Sequence, residues 1–77
     1  MRKTQTLIMT RMRAERIRRG WSQQALAERA GIGVADVSRI ENGRLQPYPL
    51  QAHKIADVLG IPTSELQEPS KLKVVTT

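Results

Sequence analysis

The spacing of apolar residues predicts a chain built from short amphipathic helices. The clearest pattern follows Pro49, where apolar residues at i, i+3, i+4 and i+7 share one helix face: Ala52, Ile55, Ala56 and Leu59. Pro49 suits the first position of this helix, because the N–H that proline lacks would be unpaired there anyway. The segment therefore predicts a helix with one buried face.

Glycines separate the predicted helices. Each of four follows a stretch of helical periodicity, where a left-handed residue commonly closes a helix: Gly20, Gly31, Gly43 and Gly60. The resulting helices cover about 7–19, 23–30, 34–42 and 49–59, and Ser22 is a good N-cap for the second. Thr63 is a candidate cap for a short fifth helix that Pro69 ends. The predicted fold class is all-α, with five helices.

The 77 residues fit one small domain, because a chain of this length buries only about 60% of its unfolded surface. We expect a flexible basic arm over 1–6, a helical domain over 7–68 and a tail over 69–77. The tail is either frayed or, through Leu72 to Val75, a short strand that needs a partner.

Charge points to a polyanionic partner. Thirteen Lys and Arg against seven Asp and Glu give a net charge of +6. The excess lies in residues 1–19, where Arg2 and Lys3 are candidates for an arm that orders on nucleic acid.

The inventory of reactive side chains argues against an enzyme or a metal protein. The sequence has no cysteine and a single histidine, His53, and no serine lies beside a credible base. We expect no cofactor, no metal and no disulfide. The apolar run at Leu7 to Met9 is too short for a signal peptide or a membrane span, so a cytoplasmic protein is expected.

The two short helices around residues 30–33 have the pattern of a helix-turn-helix. Gly31 supplies the turn, and six apolar positions would form the buried seam: Leu26, Ala27, Ala30, Ile32, Val37 and Ile40. In such a unit the first helix crosses the DNA backbone and the second enters the major groove.

Three stretches resemble the Xre-type, Cro and phage-repressor helix-turn-helix family. They are 20–27 (GWSQQALA), 30–32 (AGI) and 37–44 (VSRIENGR), within a resemblance that extends from about Met9 to Leu66. The resemblance implies a five-helix, lambda-repressor-like domain that binds double-stranded DNA and regulates transcription. Repression and activation both fit the family, and repression is the preferred interpretation. It also implies a homodimer on a palindromic operator, associated with the nucleoid.

The resemblance carries roles to individual residues. It assigns base contacts to Val34, Ala35 and Arg39, and an ion pair between the first and third helices to Arg16 and Glu41. Arg39 can donate to O6 and N7 of guanine, and the two apolar residues can contact thymine methyls. Contacts to the DNA backbone are expected from Gln23, Ser38, Asn42, Arg44 and Gln46.

Several assignments stay open in the sequence. Asp36 fits stabilisation of the third helix better than base reading, and Trp21 fits the core better than base stacking. Tyr48 fits a phosphate contact and a turn equally well. The fifth helix and tail, with Leu66, Leu72, Val74 and Val75, are the candidate dimer interface. The alternative function is an antitoxin that binds operator DNA and a toxin partner.

Overall fold

A computed structural model describes residues 3–76 and shows a helical bundle that carries a two-stranded ribbon formed by the two ends of the chain. The order is β1 (Lys3–Thr10), α1 (Arg11–Arg18), α2 (Gln23–Ala30), α3 (Val34–Glu41), α4 (Pro49–Leu59), a 3₁₀ turn (Thr63–Glu65) and β2 (Pro69–Thr76). The predicted arm is thus only partly described: Arg2 lies outside the described residues, and Lys3 to Thr6 lie in β1.

The core lies between the helices and the 3₁₀ segment. Its members are mostly aliphatic: Met12, Leu26, Ala27, Ala30, Val37, Ile40, Ile55, Ala56, Leu59, Ile61 and Leu66. Ala14 and Leu72 are also buried but lie outside this cluster, and α1 packs against β2. The bundle and the base of the ribbon are therefore joined through α1.

The predicted all-α class with five helices is wrong, because the structure has four α-helices and a two-stranded antiparallel sheet within the described residues. The first error lies at the N-terminal end. Residues 7–10 belong to β1, which pairs antiparallel with β2 in a register that sets Leu7 opposite Leu72 and Thr10 opposite Pro69. α1 begins only at Arg11. The N–H groups of Arg11 and Met12 donate to the carbonyls of Glu68 (2.8 Å) and Leu66 (3.0 Å). The first N–H groups of an α-helix have no partner within the helix. Residues 66–68 supply carbonyl partners for two of them, so α1 begins where it contacts this segment.

The predicted fifth helix is also wrong. Residues 63–65 form a single 3₁₀ turn, in which the N–H of Glu65 donates to the carbonyl of Pro62 at 3.0 Å. Pro69 begins β2, and the residue before a proline is disfavoured in the α conformation. The side-chain amide of Gln67 holds the carbonyls of Ile40 (3.0 Å) and Leu45 (2.9 Å). The segment therefore packs down as a turn and leaves as a strand.

The tail takes the strand alternative, and its partner is the N-terminal end of the same chain. Arg18 reaches across from α1 and donates to the carbonyl of Lys71 at 2.9 Å. The overall extents are 45 × 21 × 21 Å. Within residues 3–76, no helix has the length and apolar character needed to cross a membrane.

Candidate nucleic-acid interface

The turn between α2 and α3 is tight and anchored. Ser22 accepts from the N–H of Ala25 at 3.0 Å and so caps α2. Gly31 ends α2 with φ at 70°, a left-handed conformation that favours glycine, and its N–H donates to Ala27 at 2.8 Å. Ile32 then packs against the core, so the direction of α3 is fixed relative to α2.

α3 has a buried side and an open side. Val37 and Ile40 are fully buried on the side that faces α2 and the core. On the other side Val34 is 40% exposed, and Ala35 and Arg39 are also exposed. At about 100° per residue, these three side chains fall within an arc of roughly 140°. The structure thus brings the predicted base-contacting residues together on one outward edge.

Arg39 projects from this edge, and Asp36 does not compete strongly for it. The Arg39 guanidinium is 3.9 Å from the Asp36 carboxylate, and both side chains are substantially exposed. Asp36 also accepts from the side-chain amide of Gln51, in α4, at 3.0 Å. The Asp36 carboxylate is therefore held against the start of α4. The ion pair between Arg39 and Asp36 is long and exposed, so it contributes little to stability and leaves Arg39 available.

The segment that follows α3 carries the predicted backbone contacts. Gly43 has φ at 72°, and the N–H of Arg44 donates to the carbonyl of Arg39 at 2.8 Å, which closes the helix. Asn42, Arg44 and Gln46 are exposed, whereas Ser38 is half-buried within α3.

A buried carboxylate ties three helices together behind the open edge. Glu41 is 2% exposed, and Arg16 donates to its two oxygens at 2.9 and 2.7 Å. Arg16 also donates to the carbonyl of Trp21 at 2.7 Å, and Gln23 donates to Glu41 at 3.3 Å. Two parallel charge-assisted bonds of this kind fix orientation as well as charge. The network sets α3 relative to α1 and α2.

Trp21 lies beside the bundle as part of its packing. It is half-buried against the core, and the guanidinium of Arg29 stacks over its ring at 4.3 Å from the centroid. Its ring face is therefore occupied by an arginine of its own chain.

Most of the arginines of α1 are paired within the chain. Glu15 accepts from Arg11 (3.3 Å), Arg18 (2.6 Å) and Arg19 (3.1 Å). Burial acts to raise the pKa of Glu15, but the hydrogen bonds from Arg19, Arg18 and Arg11 outweigh it and leave that pKa below its ordinary value. Part of the positive charge of the N-terminal end is thus paired with carboxylates of the same chain.

Three positioning side chains were missed by sequence reasoning: Thr10, Gln51 and Gln67. The hydroxyl of Thr10 donates to the carbonyl of Glu41 at 2.9 Å. Gln51 accepts from the N–H of Tyr48 at 3.0 Å while it holds Asp36. Glutamine at the third position of a helix is a capping signal, so half of the role of Gln51 was visible in the sequence. The other partners are distant along the chain and gave no signal.

Comparison with known proteins supports this geometry. A helix-turn-helix family model matches residues 12–66. The HTH-type transcriptional regulator YazB of Bacillus subtilis is 38% identical over 61 residues, which cover 79% of this chain and 88% of that protein. An HTH-type transcriptional regulator of Methanothermobacter thermautotrophicus is 39% identical over 51 residues, covering 66% and 74% of the two chains.

A solved structure is similar in fold as well as in sequence. It is the restriction-modification controller protein C.AhdI from Aeromonas hydrophila, with a TM-score of 0.65 and 32% identity, covering 73% of this chain and 85% of that one. Residues 12–66, which the family model matches, contain the exposed edge of α3 and the turn between α2 and α3. The chain therefore belongs to the helix-turn-helix family of Xre/Cro-like, DNA-binding transcriptional regulators.

Proposed function

We propose that this protein represses transcription by binding an operator as a homodimer, with α3 of each protomer in the major groove. The observation that carries the proposal is the outward edge of α3, where Val34, Ala35 and Arg39 lie together. All three side chains are already exposed, so α3 can contact DNA without uncovering the core. The names of the relatives, transcriptional regulators and a controller protein, agree with this role.

The chemistry of the edge suits a mixed base sequence. Arg39 supplies a planar fork that can donate to O6 and N7 of one guanine. Val34 and Ala35 offer apolar contact to thymine methyl groups. One arginine with two apolar neighbours predicts a half-site in which one guanine is read by hydrogen bonds and nearby thymines are read by contact with their methyl groups.

The residues around the edge would position the protein on phosphates. Asn42, Arg44 and Gln46 are exposed after α3, and Ser38 lies at its margin. The side-chain amide of Gln23 donates one hydrogen bond to Glu41, and the second hydrogen of the same NH₂ group could donate to a phosphate. These contacts would fix register without reading sequence.

Two copies related by a two-fold axis would place their α3 helices in successive major grooves, about 34 Å apart. The operator should then be an imperfect palindrome. A protein bound to such sites would lie with the nucleoid in the cytoplasm.

Replacement of Arg39 tests the base-reading edge. Arg39→Ala should weaken binding to the preferred duplex by about 1–3 kcal/mol and relax preference at one base position, because one bidentate contact is lost. Fluorescence anisotropy with the preferred duplex and its single-base variants measures both effects. Unchanged preference at every position would show that α3 is not placed as proposed.

Replacement of Arg44 separates positioning from reading. Arg44→Ala should weaken binding to all duplexes alike and lower the salt slope by about one, since one phosphate contact is lost. Lys73→Ala, in β2, is the control: it removes the same charge from the ribbon and should leave the salt slope unchanged. Equal effects of the two variants would mean that net charge, rather than a placed contact, is being measured.

A further inference from the structure

We infer that the free edge of β1 is the dimer interface, where β1 pairs antiparallel with β1 of a second copy to give the four-stranded order β2, β1, β1, β2. The inference rests on the homodimer of the proposed function and names the surface that makes it. It replaces the interface expected from the sequence, because Leu66 and Leu72 are used inside the protomer, where they are 1% and 7% exposed.

The first argument is the backbone. The sheet has two strands only, so among residues 3–76 no strand pairs with the outer side of β1. A two-stranded sheet is marginally stable unless it packs against a helix or gains further strands. α1 packs against the ribbon, but residues 3–8 of β1 stay exposed, so this part of the ribbon would gain from a further strand. A free edge carries unpaired N–H and C=O groups that another strand can satisfy.

The second argument is the unequal charge of the two edges. β2 carries Lys71 and Lys73, and edge lysines are a common means of blocking strand addition. β1 has no ionisable side chain from Thr4 to Thr10. Pairing through β1 therefore brings together two uncharged stretches, residues 4–10 of each copy, and keeps Lys71 and Lys73 on the outer strands. Pairing through β2 would instead set lysines close to lysines.

The third argument is self-complementarity. A two-fold axis normal to the sheet sets residues of the same face opposite each other, so a centre at Leu7 or Ile8 pairs like with like. Leu7 and Ile8 are 43% and 72% exposed. Leu7 and Ile8 point to opposite faces of the sheet, so such a centre would place a second strand beside each of them and cover part of the apolar surface that the protomer leaves in water. An identical strand is the partner that matches this edge without any further assumption about its sequence.

A charge placed on β1 tests the inference. Ile8→Lys should raise the dimer dissociation constant at least about tenfold, because a lysine would stand at the centre of the pairing or directly beside it. The same change at Val75, which is 60% exposed on the same face of the ribbon but in β2, should leave the constant nearly unchanged. Analytical ultracentrifugation measures both, and circular dichroism checks that each variant is folded.

A third variant tests the competing apolar surface at the start of α4. Tyr48 and Leu50 are 73% and 66% exposed there. If Leu50→Lys or Val75→Lys dissociates the dimer and Ile8→Lys does not, the assignment to β1 is overturned. A wild-type protein that is monomeric on and off DNA overturns it as well.

Cysteine cross-linking gives a direct geometric readout, since the chain has no cysteine of its own. Directly opposed residues in an antiparallel pair have Cβ atoms about 4.5–5.5 Å apart. Under mild oxidation one of Leu7→Cys and Ile8→Cys should form a covalent dimer rapidly, and Val75→Cys should not. Rapid cross-linking of Val75→Cys alone would overturn the inference.

The outcome for DNA binding is distinguishable from the outcome for the interface. A monomeric Ile8→Lys protein should keep its base preference on a single half-site and lose affinity for the complete operator. Loss of preference in Arg39→Ala with an intact dimer tests the function, whereas a dimer unaffected by Ile8→Lys tests only the interface.

Discussion

Single carboxylates organise the arginines of α1. Glu41 holds Arg16 in the interior, and Glu15 gathers Arg11, Arg18 and Arg19 at the surface. A buried charge that loses its main partner is costly, and Arg16 supplies the two shortest of the hydrogen bonds to the Glu41 carboxylate. The Arg16–Glu41 pair therefore fixes α3 more firmly than its net energy alone suggests. The position of the α3 edge that is proposed to contact bases thus depends on an ion pair behind it.

The arginine cluster around Glu15 predicts a pH-dependent effect on stability. Glu15→Gln should lower the free energy of unfolding at pH 7 by roughly 1 kcal/mol, because three charged hydrogen bonds are weakened. The pKa of Glu15 is lowered on folding, so its contribution is complete above the ordinary value of 4.5 and is lost as pH falls through the lowered value. Urea unfolding at a series of pH values should show the two proteins converging in acid.

A matched control comes from α2. Glu28 is exposed and accepts only from Gln24, at 3.1 Å, among the hydrogen bonds of residues 3–76. Glu28→Gln should leave stability nearly unchanged across the same pH range. A difference between wild type and Glu15→Gln that persists undiminished in acid would contradict the role given to the three arginines.

At the scale of single residues, the sequence predicts the candidate site residues but gives no sign of the side chains that hold them in place. Arg39, Val34 and Ala35 are predicted as base contacts because they lie in a motif that resembles the family's recognition helix. Thr10 and Gln51 act on partners 31 and 15 residues away, and no local pattern encodes such contacts.

The helix-turn-helix is the element that local sequence determined best. Its seam, its cap at Ser22 and its turn at Gly31 all follow from residues that are close along the chain, within positions 22–40. β1 was missed for the opposite reason. Its partner lies at the far end of the chain, with Lys3 opposite Thr76, and the apolar run at residues 7–9 fits a helix as well as a strand.

Close packing of the motif predicts a strong size limit at Ala27. This residue is 2% exposed in α2, within the core that joins α2 to α3 and α4. Ala27→Leu should destabilise the fold by about 1–3 kcal/mol through overpacking, and thermal unfolding measures it. Ala25→Leu, half-buried in the same helix, is the control and should change stability by no more than about 0.5 kcal/mol. Equal losses in the two variants would mean that α2 tolerates no added volume anywhere.

In the whole molecule, the helical bundle and the ribbon have different proposed roles, DNA binding and dimer formation. The bundle presents α3 and its flanking polar residues, and the ribbon leaves open a strand edge that is uncharged over residues 4–10. A dimer made through that edge would set the distance between two α3 helices, and the operator would record this distance as the spacing of its half-sites.

Selection of binding sites from random duplexes at physiological salt tests the central claim most directly, with wild type and Arg39→Ala run side by side. Wild type should enrich an imperfect palindrome with half-site centres about 10 base pairs apart, and Arg39→Ala should lose one base position in each half-site. Enrichment of the same motif by both proteins, or of no motif by wild type, would contradict the placement of α3 in the major groove.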